Sequence, residues 1–191
     1  MKNLDAPAYS VEEQELAVAS LMRLIVIAHS FGTYATFRLL NENADFRLFR
    51  VLLCGSIVSD HYPWHFVQPR VEETIVNDCG TRDIWPAAAK SLSWGYGATG
   101  TFGFKSPGIR DRFHDIDHGG FFDDDFIKKY WVPFIESGEV VLSPWTSKRP
   151  ASPYYVRLLA NVPIQWISFG ILVWLFRHSI MDCIHIMFSL V

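Results

Sequence analysis

The strongest structural signal in this chain is L-I-V-I-A-H-S-F-G-T, residues 24–33. The first five residues are apolar or β-branched, a composition that favours a buried β-strand. Residues 34–40 then place apolar side chains at helical spacing. A chain that passes from strand to helix within about two residues must turn sharply, and Ala28 and Gly32 supply small side chains where the backbones crowd. The sequence therefore predicts that Ser30 lies on a tight strand-to-helix turn.

The hydroxyl of Ser30 has two interpretations. Serine often caps the helix that it precedes by accepting a backbone hydrogen bond. Alternatively, Ser30 is a nucleophile, because the amides and the dipole at the start of a helix stabilise negative charge on a nearby oxygen. The first of these amides belongs to Phe31. The strand before Ser30 and the helix after it favour the nucleophile.

The motif A-H-S-F-G, residues 28–32, resembles the G-x-S-x-G nucleophile elbow of the α/β-hydrolase family, with alanine replacing the first glycine. The resemblance covers roughly residues 10–136 and implies an α/β fold, namely a partial α/β-hydrolase-like three-layer sandwich with a mostly parallel sheet. It also implies a triad in the chain order Ser, Asp or Glu, His. Such a triad cleaves an ester or another acyl bond and needs no metal or organic cofactor.

Two aspartates compete for the role of the triad acid. Residues 73–77 form a predicted strand, and Asp78 and Asp83 follow it. Asp83 comes after a glycine turn and before Pro86, as the acid does in the family, and the resemblance therefore favours Asp83. The alternative is that either aspartate only closes a turn or caps the helix around residues 86–89.

The triad base is implied by the loop H-G-G-F-F, residues 118–122, which resembles the family loop in which histidine precedes glycine. The resemblance selects His118 as catalytic base. His114 belongs to a predicted strand at 110–117 and is expected to be structural or exposed. The alternative for His118 is that it only begins a glycine turn.

Aromatic and imidazole side chains are expected around the substrate, at the edge where parallel strands end. The candidate substrate-binding residues are His29, Tyr62 and Trp64. Tyr62 and Trp64 follow the strand predicted at 50–55, and the nucleophile strand is predicted at 24–28. No metal site is expected: the spacing of His61 and His65 suits two ligands on a helix, but Pro63 interrupts that helix.

Two further motifs imitate ligand sites. G-Y-G-A-T-G, residues 95–100, matches a dinucleotide-binding pattern, but no buried strand precedes it. We expect a flexible aromatic-glycine loop at the rim of the active site. Asp123, Asp124 and Asp125 lack the spacing of a calcium loop and are expected to cap a helix over about residues 126–135.

The composition indicates a chain with a substantial core and excludes some partners. Half of its 191 residues are apolar, and the formal net charge is −3. The 17 basic residues form no patch, so nucleic-acid binding is not expected. Cys54, Cys79 and Cys183 are dispersed and odd in number, which favours buried thiols in a reducing compartment. The first residues lack the pattern of a signal peptide.

A capping box at residues 10–13 predicts a helix that ends near Met22, directly before the nucleophile strand. The family has several strands before this helix, and a loop among them supplies the second oxyanion-hole amide. The hydrolase-like domain, residues 1–142, is therefore expected to be incomplete at its N-terminal side. The amide of Phe31 is then the one oxyanion donor with an assignment.

The C-terminal part changes composition after a proline-rich basic linker at 143–156. Residues 157–191 form an apolar tail, in which 158–176 carry no formal charge. This stretch is helical in pattern and long enough to be a transmembrane candidate. The alternative is an amphipathic helix that covers the sheet. Because basic residues are denser before the stretch, a membrane-associated chain would keep its hydrolase portion in the cytoplasm; the alternative localisation is cytoplasmic.

These observations lead to one functional hypothesis and two alternatives. The leading hypothesis is a membrane-associated serine hydrolase, esterase-like or lipase-like, that acts on a small-molecule or lipid acyl substrate. The first alternative is a non-catalytic, membrane-associated remnant or interaction module with the same fold. The second is a transferase that passes the acyl group to an acceptor other than water. Neither the substrate nor the oligomeric state follows from the sequence.

Overall fold

A parallel β-sheet forms the centre of the protein. The computed structural model describes residues 23–146 and 148–189, with side chains up to residue 177. Its strands are β1 (Ile25–His29), β2 (Arg50–Cys54), β3 (Ile75–Gly80) and β4 (Ile109–His114), paired in the order β1-β2-β3-β4. Every pairing is parallel. The α/β fold class is therefore confirmed, and each of the four predicted strands is present with neither end displaced by more than three residues.

Helices follow the strands. They are α1 (Phe31–Glu42), α2 (Trp64–Val67), α3 (Trp85–Leu92), α4 (Thr99–Phe102), α5 (Asp124–Phe126), α6 (Val132–Ser137), α7 (Tyr154–Asn161) and α8 (Ile164–Ser189). A π-helical turn, Ile127–Trp131, joins α5 to α6, and short 3₁₀ turns lie at Gln68–Arg70 and Gly120–Phe122. The side chain of Asp123 accepts the N–H groups of Asp125 and Phe126, which confirms the predicted helix cap.

Hydrophobic layers cover both faces of the sheet. Alternate residues of β2 face opposite sides: Val51 and Leu53 pack with α1, and Leu52 and Cys54 pack with the aromatic side chains of residues 121–134. A parallel strand that is buried on both faces has this continuous apolar character. The thiols of Cys54 and Cys79 are free and buried, as predicted. Cys183 lies outside the described side chains.

A buried ionic network joins β3 to β4. The Asp78 carboxylate accepts hydrogen bonds from Arg112 Nε at 2.6 Å, Arg112 Nη2 at 2.9 Å and His114 Nε2 at 2.9 Å. The indole of Trp131 donates a fourth at 3.0 Å. Burial raises the pKa of Asp78, but the hydrogen bonds from Arg112 and His114 outweigh it and hold that pKa below its ordinary value. His114 is therefore structural and buried.

We expect Asp78→Asn to lower the free energy of unfolding by about 3 kcal/mol, because it leaves the buried guanidinium of Arg112 without its charged partner. The wild type should also lose stability as the pH falls below about 4, since a carboxyl whose folded pKa is depressed binds protons more readily when unfolded. Urea denaturation against pH measures both effects. Asp115→Asn, at an exposed site, is the control. Equal stability of the two variants would contradict the assignment.

The segment after α6 is attached to the sheet domain. Arg149 donates hydrogen bonds to the carbonyls of Thr101 and Phe102, both at 3.0 Å. Further along, Val156 and Ala160 of α7 pack against Ala87 of α3. Part of the predicted linker and the start of the predicted tail therefore belong to the packed structure.

The apolar stretch predicted at 158–176 is divided between two helices. The chain bends by 48° between α7 and α8, where Pro163 lacks the N–H that a continuous helix requires. Among the described residues, no helix alone has the length and apolarity of a membrane span. The bent pair Tyr154–Asn161 and Ile164–Arg177 meets that test when the two are taken together.

Candidate active site

Ser30 occupies the turn between β1 and α1 in a strained conformation. Its backbone angles are φ 52° and ψ −121°, in a region that residues with a Cβ rarely adopt. The N–H of Ser30 donates to the carbonyl of Cys54 at 3.1 Å and so fixes the turn against β2. The side chain of Ser30 makes no capping hydrogen bond with α1. The geometry therefore does not support the helix-cap interpretation of this serine.

The small residues around Ser30 are not equally constrained. Ala28 is buried, in accordance with the prediction of a crowded turn. A Cβ added to Gly32, however, would meet no atom within 4 Å in the described part of the chain. The prediction of crowding at Gly32 is therefore not supported by these contacts.

Asp83 pairs with the imidazole of His118. Asp83 Oδ2 lies 2.7 Å from His118 Nδ1, and the aspartate is fully buried. Its other oxygen, Oδ1, accepts the N–H of Trp85 at 3.0 Å, and Thr101 Oγ1 donates to its backbone carbonyl at 2.8 Å. Asp83 thus closes the turn before α3 and also holds the histidine. Asp78, the competing candidate, is engaged by the buried network instead.

The loop that carries His118 is a glycine turn organised by Asp117. Asp117 Oδ1 accepts the N–H of Gly119 at 3.2 Å and that of Gly120 at 3.1 Å. The imidazole of His118 is 24% exposed. The glycine-turn alternative is therefore correct for the backbone, and the side chain nevertheless pairs with Asp83.

Ser30 and His118 line one cavity of about 360 Å³. The other residues that line it are Ile57, Trp85, Ala88, Ala89, Leu92, Ser93 and Tyr96. No hydrogen bond joins Ser30 to His118 within the described part of the chain; such contacts are often long before substrate binds. The amide of Phe31 opens α1 close to Ser30 and suits an oxyanion donor.

His29 lies against the imidazole of His118. The ring centroids of His29 and His118 are 4.2 Å apart, and His29 also contacts Phe122 at 4.9 Å. Burial, and secondarily the neighbouring His118, lower the pKa of His29. Its Nε2 finds no hydrogen-bond partner among the described residues. The contacts place His29 beside the imidazole of His118 as a neutral packing group.

Of the two aromatic residues predicted to bind substrate, Trp64 lies in the core and Tyr62 is half-buried against it. Trp64 is 4% exposed and packs on Phe37 with ring centroids 4.2 Å apart. The Tyr62 hydroxyl donates to the carbonyl of Phe37 at 3.2 Å. Neither side chain lines the cavity at Ser30. The reason is that the apolar side of α1 requires partners, and these two rings supply them.

The glycine motif at residues 95–100 packs its backbone against the segment after β2. The N–H of Gly97 donates to Ile57 at 2.8 Å, and that of Gly100 donates to Ser56 at 2.7 Å. A Cβ on Gly100 would lie 2.0 Å from the amide nitrogen of Ser56. The loop reaches the cavity through Tyr96, as predicted, but close packing holds it, in contrast to the predicted flexibility.

Gly55 is a site residue that the sequence analysis did not identify. It follows β2 with φ +56°, and an added Cβ would lie 3.0 Å from His118 Cε1 and 3.1 Å from Asp83 Oδ2. Only glycine leaves room for the aspartate–histidine pair above this backbone. The signal in the sequence is a glycine at the carboxyl end of a buried strand.

We expect Gly55→Ala to disturb the pair, cutting ester turnover by about tenfold or more, since a shift of about 1 Å at a catalytic group costs on that scale. Its positive φ should also cost about 1 kcal/mol of unfolding free energy. Gly32→Ala is the matched control, because it lies beside Ser30 with open space around its Cβ. Kinetics and thermal unfolding compare the two. Turnover unaffected by Gly55→Ala would contradict the role of this glycine.

Comparison of the chain with models of protein families, with curated proteins and with solved structures finds no match. The interpretation of the site therefore depends on its own geometry. Within the described residues, no group of three or more His, Cys, Asp and Glu side chains is arranged to hold a metal ion.

Proposed function

We propose that this protein is a serine hydrolase of the α/β-hydrolase class that cleaves an ester or another acyl bond. The observation that carries the proposal is that a strained Ser30 shares a cavity with His118, whose imidazole is hydrogen-bonded to the buried Asp83. The strained turn of a nucleophile elbow presents the serine hydroxyl, and a base that a carboxylate orients activates it. A structural role for either feature alone does not explain why the cavity contains both.

The mechanism follows from the position of each group. Ser30 Oγ attacks the acyl carbonyl while His118 Nε2 accepts its proton. Asp83 holds Nδ1–H of His118, which fixes the tautomer and stabilises the imidazolium. The Phe31 amide donates to the developing oxyanion. His118 then returns the proton to the leaving alcohol, and water hydrolyses the acyl-serine by the same steps in reverse order.

Trapping the acyl-enzyme tests this mechanism. The wild type is mixed with p-nitrophenyl acetate, quenched in acid and digested, and the peptide that carries Ser30 is examined by mass spectrometry. The proposal predicts an acetyl group on Ser30 and an initial burst of p-nitrophenol. Turnover with an adduct on another residue, or on none, would contradict it. Adding an alcohol acceptor distinguishes hydrolysis from acyl transfer, because a transferase yields a new ester.

The second candidate function is a non-catalytic interaction module associated with a membrane. The observation in its favour is that β1, which carries Ser30, is at the edge of the described sheet and pairs there with β2. Within the described residues, the Phe31 amide is the one oxyanion donor assigned, and the absence of a second donor costs about a hundredfold or more in rate. A folded protein that hydrolyses no ester and forms no adduct would favour this candidate.

A further inference from the structure

Two cavities flank helix α3, and the side chain of Leu92 lines both. One contains Ser30 and His118, with an apolar wall that includes Trp85 and Leu92. The other, of about 200 Å³, lies between the end of α3 and the start of α8 and includes Trp94 and Phe169. Apolar side chains dominate this second lining, apart from Gln165 and Ser168. Leu92 is 57% exposed, so its side chain separates the two cavities at the protein surface.

Helix α8 is exposed and apolar around its whole circumference over residues 166–176. Its exposed side chains are Trp166, Ile167, Phe169, Ile171, Leu172, Val173, Trp174, Leu175 and Phe176, each at least 42% accessible. No formal charge occurs between Arg157 and Arg177. A helix that is hydrophobic all round is found in a protein core or in a membrane. A partner protein that docks on one side would leave the opposite side in water, whereas lipid surrounds a helix.

We propose that the substrate is a long-chain acyl ester of a membrane lipid. Its acyl chain extends from Ser30 past Leu92 into the second cavity, the groove beside α8. This inference rests on the proposed hydrolase function. With α8 in the apolar layer, the groove opens directly to the acyl chains of the bilayer. The acyl chain of the lipid enters the groove without crossing water, and the ester carbonyl reaches Ser30. Ser30 forms the acyl ester as the lipid alcohol leaves with the proton from His118. Water then releases the fatty acid and restores the serine.

A series of p-nitrophenyl esters from acetate to laurate tests this path of the acyl chain past Leu92. The assay uses the full protein chain in detergent. In the wild type we expect kcat/KM to rise by about fourfold per methylene, as apolar burial predicts. Leu92→Trp places an indole at the junction of the two cavities and should abolish this gain for long esters, so the measurement is the slope of kcat/KM against chain length in each variant. Leu142→Trp is the control, because Leu142 is 65% exposed and lines neither cavity.

The ester series separates failure of this inference from failure of the proposed function. An equal chain-length dependence in Leu92→Trp and wild type would overturn the acyl path while leaving the hydrolase intact. No turnover of any ester by the wild type would overturn both the proposed function and the inference.

Flotation with phosphatidylcholine vesicles tests the membrane source of the substrate. The wild-type chain should float with the vesicles and release fatty acid from them. A variant with both Ile171→Asp and Leu175→Asp should remain in the aqueous fraction, lose lipid turnover and keep acetate turnover, because neither residue lines the groove. Equal flotation of variant and wild type, or a wild type that remains in water as a dimer through α8, would overturn the proposal.

Discussion

Ser30→Ala is expected to lower kcat for any acyl ester that the wild type hydrolyses by about 10⁴-fold or more, as the loss of a triad nucleophile does. The substitution removes the one oxygen that the proposed mechanism acylates. It should leave the fold intact, because the Ser30 side chain makes no capping bond and the backbone hydrogen bond to Cys54 is retained. Steady-state kinetics with p-nitrophenyl butyrate measures the effect.

The control for this change is Ser93→Ala. Ser93 lines the same cavity as Ser30, so its replacement alters the lining by one hydroxyl without touching the nucleophile. We expect Ser93→Ala to retain activity within about threefold, as a substitution outside the reacting groups does. Comparable losses in both variants would mean that the hydroxyls matter for binding or packing. That result would remove Ser30 from the role of nucleophile.

Asp83→Asn is expected to lower kcat by about 10⁴-fold, because an amide in place of the orienting carboxylate favours the wrong tautomer of the base. The asparagine oxygen can still accept the N–H of Trp85, so the turn before α3 should be preserved. Circular dichroism and thermal unfolding report the fold, and kcat reports the chemistry. Asp115→Asn, at an exposed site in the segment before His118, is the matched control.

Asp83→Asn has two outcomes that can be distinguished. A large loss of kcat with an unchanged unfolding midpoint supports orientation of His118 by Asp83. Activity within about tenfold of the wild type would show that the 2.7 Å contact between Asp83 and His118 has no catalytic role.

The strands were predictable because buried parallel strands are continuous apolar runs bounded by turn residues. Strands β1 and β3 begin with consecutive β-branched residues, and β2 has an apolar centre, Val51–Leu53. The residues at which the strands begin and end were less predictable. Strand β3 extends to Gly80 because its backbone pairs with β4 as far as His114, and within this extension Asp78 binds Arg112 and His114 of β4. A partner 34 residues away in sequence is not visible in local pattern.

The choice between Asp78 and Asp83 shows the same limit. Both residues follow the predicted strand, and spacing from a glycine favoured Asp83 only through the family resemblance. The structure separates them by face: Asp78 points into the aromatic layer around Trp131, and Asp83 points toward His118 beyond the sheet edge. A difference of five positions decides which carboxylate is buried with arginine and which meets the imidazole.

The lining of the site was the least predictable part. Tyr62 and Trp64 are aromatic and follow a strand, but both pack on Phe37, Trp64 within the core and Tyr62 against it. Trp85, Leu92 and Tyr96 line the cavity because α3 and the glycine loop pass over the strand ends. The position of Tyr96 depends on how the neighbouring Gly97 and Gly100 pack against the segment after β2, a tertiary contact that the local sequence pattern does not reveal.

Fluorophosphonate labelling of the purified full chain, read by mass spectrometry, tests the central claim most directly. The reagent reacts with serines that a neighbouring base has activated, so it reports activation without requiring the correct substrate. We predict a single adduct on Ser30 that disappears in Ser30→Ala and in His118→Ala and persists in Ser93→Ala. A folded wild type that forms no adduct, or one whose labelling survives His118→Ala unchanged, would contradict an Asp83–His118-activated serine at this turn.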